Sequence, residues 1–199
     1  MQANDCRMKS PLRSTRLLIV LLAVALGTTA CAGRERGPSF TDQYMEALDH
    51  FPASTNTDIA AGVERFVAVF THLTHEDVGE RARLAYADTL FFNDTLHTAT
   101  SGRQLADYLV ATGEAVDDVD VEVLSWIEDD GDVYVRWAMR TRFSVTGRKV
   151  DSRTIGMTHL RFNDDGQITL HQDFWDSSQG LYEHIPVMGG MVRWIRGRL

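Results

Sequence analysis

Apolar residues recur every three or four positions from residue 59 and alternate singly from residue 119, so the chain divides into a helical half and a stranded half. Ile59, Val63, Phe66, Val67, Phe70 and Leu73 predict an amphipathic helix, with Thr57 or Asp58 placed to cap it. A second helix is expected from near Thr74 through Ala82 and Ala85 to Tyr86. T-L-F-F-N at 89–93 then reads as a short strand. S-G-R-Q, starting at Ser101, is a capping-box sequence leading into Leu105, Tyr108, Leu109 and Val116 on a third helix. A weaker helical patch lies at 44–51.

After Asp118 the period falls to two. Val119, Val121, Val123 and Ile127 alternate before the turn D-D-G-D. Over 133–145, Val135, Trp137, Met139 and Phe143 share one face, and Arg136, Arg140 and Arg142 the other. T-G-R-K turns the chain into 150–162, and N-D-D-G turns it again into T-L-H-Q-D-F-W-D at 169–176. In that last strand Thr169, His171, Asp173 and Trp175 face one way, and Leu170, Gln172 and Phe174 the other. Helices followed by four long antiparallel strands make an α+β domain. The expected architecture is a strongly curved, mostly antiparallel sheet wrapped around three N-terminal helices, with a short helical tail at 179–199. Where the helices leave the concave side unfilled, a pocket results.

The N-terminus belongs to a different class of sequence. A basic segment at 8–16, ten apolar residues at 17–26 and small residues up to Cys31 have the layout of a secretory signal peptide. Ten apolar residues are too few to span a bilayer as a helix. Ala30-Cys31 resembles a bacterial lipobox, with Thr28 where that motif usually has a larger aliphatic residue. Lipidation of Cys31 and plain cleavage near Ala30 are the two alternatives, and the first is carried forward. The expected organisation is a signal peptide over 1–30, a tether over 31–56, a domain over 57–178 and the tail.

Loss of 1–30 changes the charge. It removes Arg7, Lys9, Arg13, Arg16 and Asp5 from 20 basic and 28 acidic residues, leaving a net charge of −11. A nucleic-acid partner is therefore not expected, because counterion release needs a basic surface. Cys6 and Cys31 are the two cysteines. The mature chain keeps one of them, so its stability must come from core packing.

Y-A-D-T-L-F-F-N-D at 86–94 and L-R-F-N-D-D-G-Q-I-T-L-H-Q-D-F-W-D at 160–176, in this order of elements, resemble the nuclear transport factor 2-like superfamily. That superfamily includes the SnoaL-like polyketide cyclases and ketosteroid isomerase, and the resemblance covers about 57–178. It implies a cone-shaped fold and no cofactor, and it leaves function open, because one fold hosts many functions. By comparison with ketosteroid isomerase, Asp94 stands at the general base, Trp175 beside it, and His171 and Asp173 look into the cavity. Phe70 and Thr158 stand where the isomerase has its oxyanion-stabilising Tyr and protonated Asp. Phe70 cannot donate a hydrogen bond, and Thr158 is a weaker donor than a neutral carboxylic acid. Steroid isomerisation by that route is not expected.

Three functional classes follow. The first is a secreted, lipid-anchored domain that binds a small apolar or amphipathic molecule, with Trp175, Thr158, Trp137, Met139 and Phe70 on the ligand. The second is a cofactor-free acid/base enzyme, with Asp94 as base, His171 as proton donor or relay and Asp173 holding the imidazole. The third is an envelope interaction module. For each residue the structural alternative stays open: Asp94 as a turn cap, His171 and Asp173 as fixed polar groups, Trp137 and Met139 as core. His97, His171, Asp94 and Asp173 do not have metal-ligand spacing within one element, so no metal is expected. Ile155, Met157 and His159 give the convex face enough apolar area for a homodimer. The arginine-bearing tail reads as a lid across the mouth of the cone.

Overall fold

A computed structural model describes residues 37–198. The signal peptide and Cys31 lie outside them. Helix α1 (Phe40–His50) is followed by α2 (Ile59–Thr71) and α3 (Val78–Ala85), then by strands β1 (Tyr86–Asn93) and β2 (Thr98–Ser101) and helix α4 (Gly102–Ala115). Four long strands follow: β3 (Asp118–Asp129), β4 (Asp132–Val145), β5 (Arg148–Phe162) and β6 (Ile168–Trp175). A short α5 (Ser177–Gly180), a 3-10 turn (Tyr182–His184) and α6 (Met188–Arg196) close the described chain.

The six strands form one curved, unclosed sheet in the order β2-β1-β6-β5-β4-β3. Only β1 and β6 run parallel, and every other pair is antiparallel. Both tight hairpins carry two successive positive-φ residues, Asp130 (52°) with Gly131 (83°) and Thr146 (49°) with Gly147 (79°). That is the type I′ geometry, whose twist matches the flanking strands.

The helix caps follow the local chemistry. Asp58 accepts the Ala61 N–H at 3.1 Å. Ser101 Oγ accepts the Gln104 N–H at 3.3 Å, and the Gln104 side-chain Oε1 accepts the Thr100 N–H rather than that of Ser101. The second helix differs from expectation at both ends. Residues 72–77 are spent on turns, the His75 N–H bonding His72 O and the Val78 N–H bonding His75 O. Tyr86 is already extended and opens β1.

The main core lies between α2, α3, α4 and one half of the concave face. Val63, Phe66 and Val69 meet Leu105, Leu109, Val133, Val135, Leu160 and Phe162, all buried. On the convex side, α1 packs Ala47 with Tyr44, Leu48 and Phe51 against Phe91 and Leu170. The helical patch expected at 44–51 is thus one end of a helix docked on the sheet, because its apolar residues recur at i, i+3, i+4 and i+7.

Candidate functional site

The other half of the concave face is open. A cavity of about 510 Å³ lies there, within the size range of small-molecule sites. Phe66 and Phe70 of α2, Tyr108 and Leu109 of α4, and Val119 and Val121 of β3 line it. Trp137, Met139 and Phe143 of β4 form the sheet wall, with Thr154 and Thr158 of β5 and His171, Asp173 and Trp175 of β6. All eight residues singled out by sequence (Asp94, His171, Asp173, Trp175, Thr158, Trp137, Met139 and Phe70) reach this one cavity.

Strand register explains the arrangement. Trp137, Gly156 and Trp175 form one row across β4, β5 and β6, and Val135, Thr158 and Asp173 the next. A Cβ on Gly156 would lie 2.3 Å from Trp137 Cζ2. The glycine lets the indole lie across β5 and donate Nε1–H to Thr158 Oγ1 at 2.9 Å.

Thr158 in turn donates to Asp173 Oδ1 at 2.5 Å. His171 Nε2 lies 2.9 Å from the same oxygen, and its Nδ1 lies 2.8 Å from the Tyr86 hydroxyl. Burial, then the Asp173 charge, pushes the Tyr86 phenol well above its ordinary pKa and keeps it protonated, able to donate to Nδ1 when Nε2 carries the imidazole proton. In that tautomer Nδ1 accepts, and Nε2–H donates to Asp173. His171 is fully buried and ringed by Phe66, Phe70 and Phe92, with centroids 5.7, 5.7 and 4.5 Å away. The two bonds to the Asp173 carboxyl fall on Oδ1; among the described residues Oδ2 accepts none, and the side chain is 12% exposed.

Asp94 sits in the turn between β1 and β2. Its Oδ1 accepts the N–H groups of Leu96 (2.9 Å) and His97 (2.7 Å), and its Oδ2 accepts the Tyr108 hydroxyl. Burial, and then the Asp94 carboxylate, raises the Tyr108 pKa and fixes that phenol as a donor. Trp175 Nε1–H reaches the Asp94 carbonyl at 2.8 Å. Asp94 is thus both a turn cap and a cavity residue, with its two oxygens engaged by three donors.

Of the segment after β6, Gly180 and Leu181 line the cavity, and no residue of the terminal helix does. Ser152 Oγ donates to Gly180 O at 2.8 Å. A Cβ on Gly180 would meet Trp175 Cζ3 at 2.4 Å and Thr154 Cγ2 at 2.5 Å. Helix α6 stands outside, with Arg196 paired to Glu183 and to Asp176.

A second Tyr–His–Asp cluster lies on the convex face. Tyr44 OH is 2.8 Å from His159 Nδ1, and His159 Nε2 is 2.7 Å from Asp132 Oδ1. Here Arg161 completes the set: it pairs with Asp132 and donates Nη1–H to Leu48 O (2.7 Å) and Phe51 O (2.9 Å), at the end of α1. Burial would raise the Asp132 pKa, but bonds from Arg161 and His159 outweigh it and hold the carboxyl low. Burial lowers that of His159, against the pull of Asp132.

Sequence reasoning missed the phenols of Tyr86 and Tyr108, which fit the apolar pattern of the expected helices and read as core. It also missed Gly156, whose signal was a glycine between two tryptophans across the sheet. Among the described residues, no three His, Cys, Asp or Glu side chains gather in a group fit to hold a metal.

This fold and its hollow belong to a known class. The SnoaL-like domain family matches residues 63–171, more than half of the chain. The chain belongs to that family, within the nuclear transport factor 2-like, ketosteroid-isomerase-like fold. Solved structures share the fold at low identity. A candidate SnoaL-like polyketide cyclase from Shewanella putrefaciens aligns at TM-score 0.52 and 18% identity, covering 61% of this chain and 94% of its own. Another from Jannaschia aligns at 0.51 and 14%, covering 65% and 96%. A hypothetical protein with a ketosteroid isomerase-like fold from Catenulispora acidiphila, in complex with trimethylamine, aligns at 0.51 and 18%, covering 59% and 89%. No curated protein matches the chain.

Proposed function

We propose that the domain reversibly binds a small apolar or amphipathic molecule in the concave cavity. The observation that carries this is a hollow of about 510 Å³ walled by aromatic and aliphatic side chains, whose polar groups are mostly committed to bonds within the protein. Such a wall favours burial of hydrocarbon, at about 25 cal/mol per Å² removed from water. The test is a titration of the purified mature chain with Nile red, a neutral apolar probe. Saturable enhancement with one site per chain is expected, and no enhancement at any concentration would remove the proposal.

An enzyme reading is favoured by one feature, the opening of the Tyr86–His171–Asp173 row onto a cavity that Asp94 also lines. On that reading Asp94 is the base and His171 the relay, acting on a carbonyl or epoxide without a cofactor. Turnover that disappears in Asp94→Asn while Nile red still binds would establish it. Full turnover in that variant would remove the assignment.

Secretion and anchoring through Cys31 complete the proposal, resting on the leader's charge and apolar pattern. A homodimer through the convex face is part of it too, since Ile155, Met157 and Phe174 stand exposed there.

A further inference from the structure

The two Tyr–His–Asp clusters differ in one charge. On the convex face the carboxylate of Asp132 is met by the Arg161 guanidinium. On the concave face the corresponding carboxylate, Asp173, has a histidine and a threonine but neither arginine nor lysine among the described residues. Among the described residues its Oδ2 has no hydrogen bond, and the side chain, 12% exposed, lines the cavity. A partly desolvated carboxylate with an unused oxygen is costly unless a cation or donor meets it.

The rest of the wall points the same way. Asp94 and Asp173 are the acidic side chains lining the cavity, and no arginine or lysine lines it. Asp94 already has its oxygens engaged by two N–H groups and a phenol. Trp137, Phe143 and Trp175 make the wall aromatic, and the face of an aromatic ring attracts cations through its quadrupole. The mature chain carries a net charge of −11, so its long-range field also draws cations in.

We propose that the cavity selects a cationic amphiphile, with an alkylammonium head at Asp173 Oδ2 and an apolar body against the aromatic wall. The ligand's ammonium takes the place that Arg161 takes on the other side of the sheet. This inference rests on the pocket-binding proposal and adds the charge of the ligand to it.

The test is calorimetric titration of the mature chain with decylamine hydrochloride, decan-1-ol and sodium decanoate, each below its aggregation concentration. Decylamine is expected to bind at least about tenfold tighter than decan-1-ol, and decanoate more weakly than either. Asp173→Asn is expected to remove the preference for the amine while decan-1-ol binding persists, which also shows that the variant is folded. Equal affinities, stronger decanoate binding, or an amine preference that survives Asp173→Asn would overturn the inference and leave pocket binding standing. Binding of none of the three would overturn both. Loss of decan-1-ol binding in Asp173→Asn directs the test to Thr158→Val, which removes one donor from Oδ1 and keeps the charge. Retained amine preference there supports the inference, and lost preference overturns it.

Discussion

The convex and concave faces of this sheet carry the same three side-chain types in the same bonding order, and only one of them is a candidate site. Around His159, Tyr44 and Asp132 are joined by Arg161, which also ties the end of α1 to the sheet. Around His171, Tyr86 and Asp173 are joined by Thr158 and then by a hollow. A phenol–imidazole–carboxylate row is therefore no evidence of chemistry by itself. The distinguishing features are an uncompensated carboxylate oxygen and space beside it. Charge balance separates a clamp from a site.

The comparison can be broken most forcefully at Arg161. Arg161→Met leaves Asp132 partly buried without its cation and strips two carbonyls of α1 of their donor. A loss of about 3 kcal/mol or more in urea unfolding is expected. A loss below about 1 kcal/mol would mean the convex cluster is no clamp. Next is Gly156→Ala, whose new methyl displaces the Trp137 ring toward the cavity. It should cost about 1–3 kcal/mol and weaken Nile red binding; unchanged binding would separate the indole from the site.

Acid should loosen the convex clamp gradually. The folded pKa of His159 is lowered, so the unfolded chain takes up that proton first and stability falls as pH drops below the ordinary value of 6.5. Asp132 is also lowered, so its contribution is present above the ordinary 3.8 and is lost as pH falls through its folded value. Both act in the same direction, at no more than about 1.4 kcal/mol per pH unit for each group. His159→Gln should flatten the part of the stability curve just below 6.5, and an unaltered curve would contradict the assignment. The smallest effect is expected at Asp173→Asn. The amide oxygen can still accept from His171 and Thr158, so stability should stay within about 0.5 kcal/mol of the parent.

How much of this was legible follows from periodicity. Alternation along β4 and β6 assigned Trp137, Met139, His171, Asp173 and Trp175 to one side, and a strand obeys that rule regardless of tertiary context. The hairpin turns were equally visible in D-D-G-D and N-D-D-G. Hydroxyl chemistry was not visible, because Tyr86 and Tyr108 satisfy an apolar pattern with their rings while their phenols bond across the fold. Asp94 could be read as cap or as cavity residue, and it is both. The partner of Asp132 was hidden because Arg161 is remote from it in sequence and adjacent only across the sheet. Gly180 and Leu181, rather than the arginine-rich tail, reach the cavity, because Gly180 fits against Trp175 where a side chain would not.

The most direct test is a crystal structure of the mature chain grown with decylamine. An ammonium nitrogen within hydrogen-bond distance of Asp173 Oδ2, with the alkyl chain lying along Trp137 and Phe70, is the predicted result. A cavity collapsed onto its own side chains, or an amine seated elsewhere with Asp173 unliganded, would contradict it.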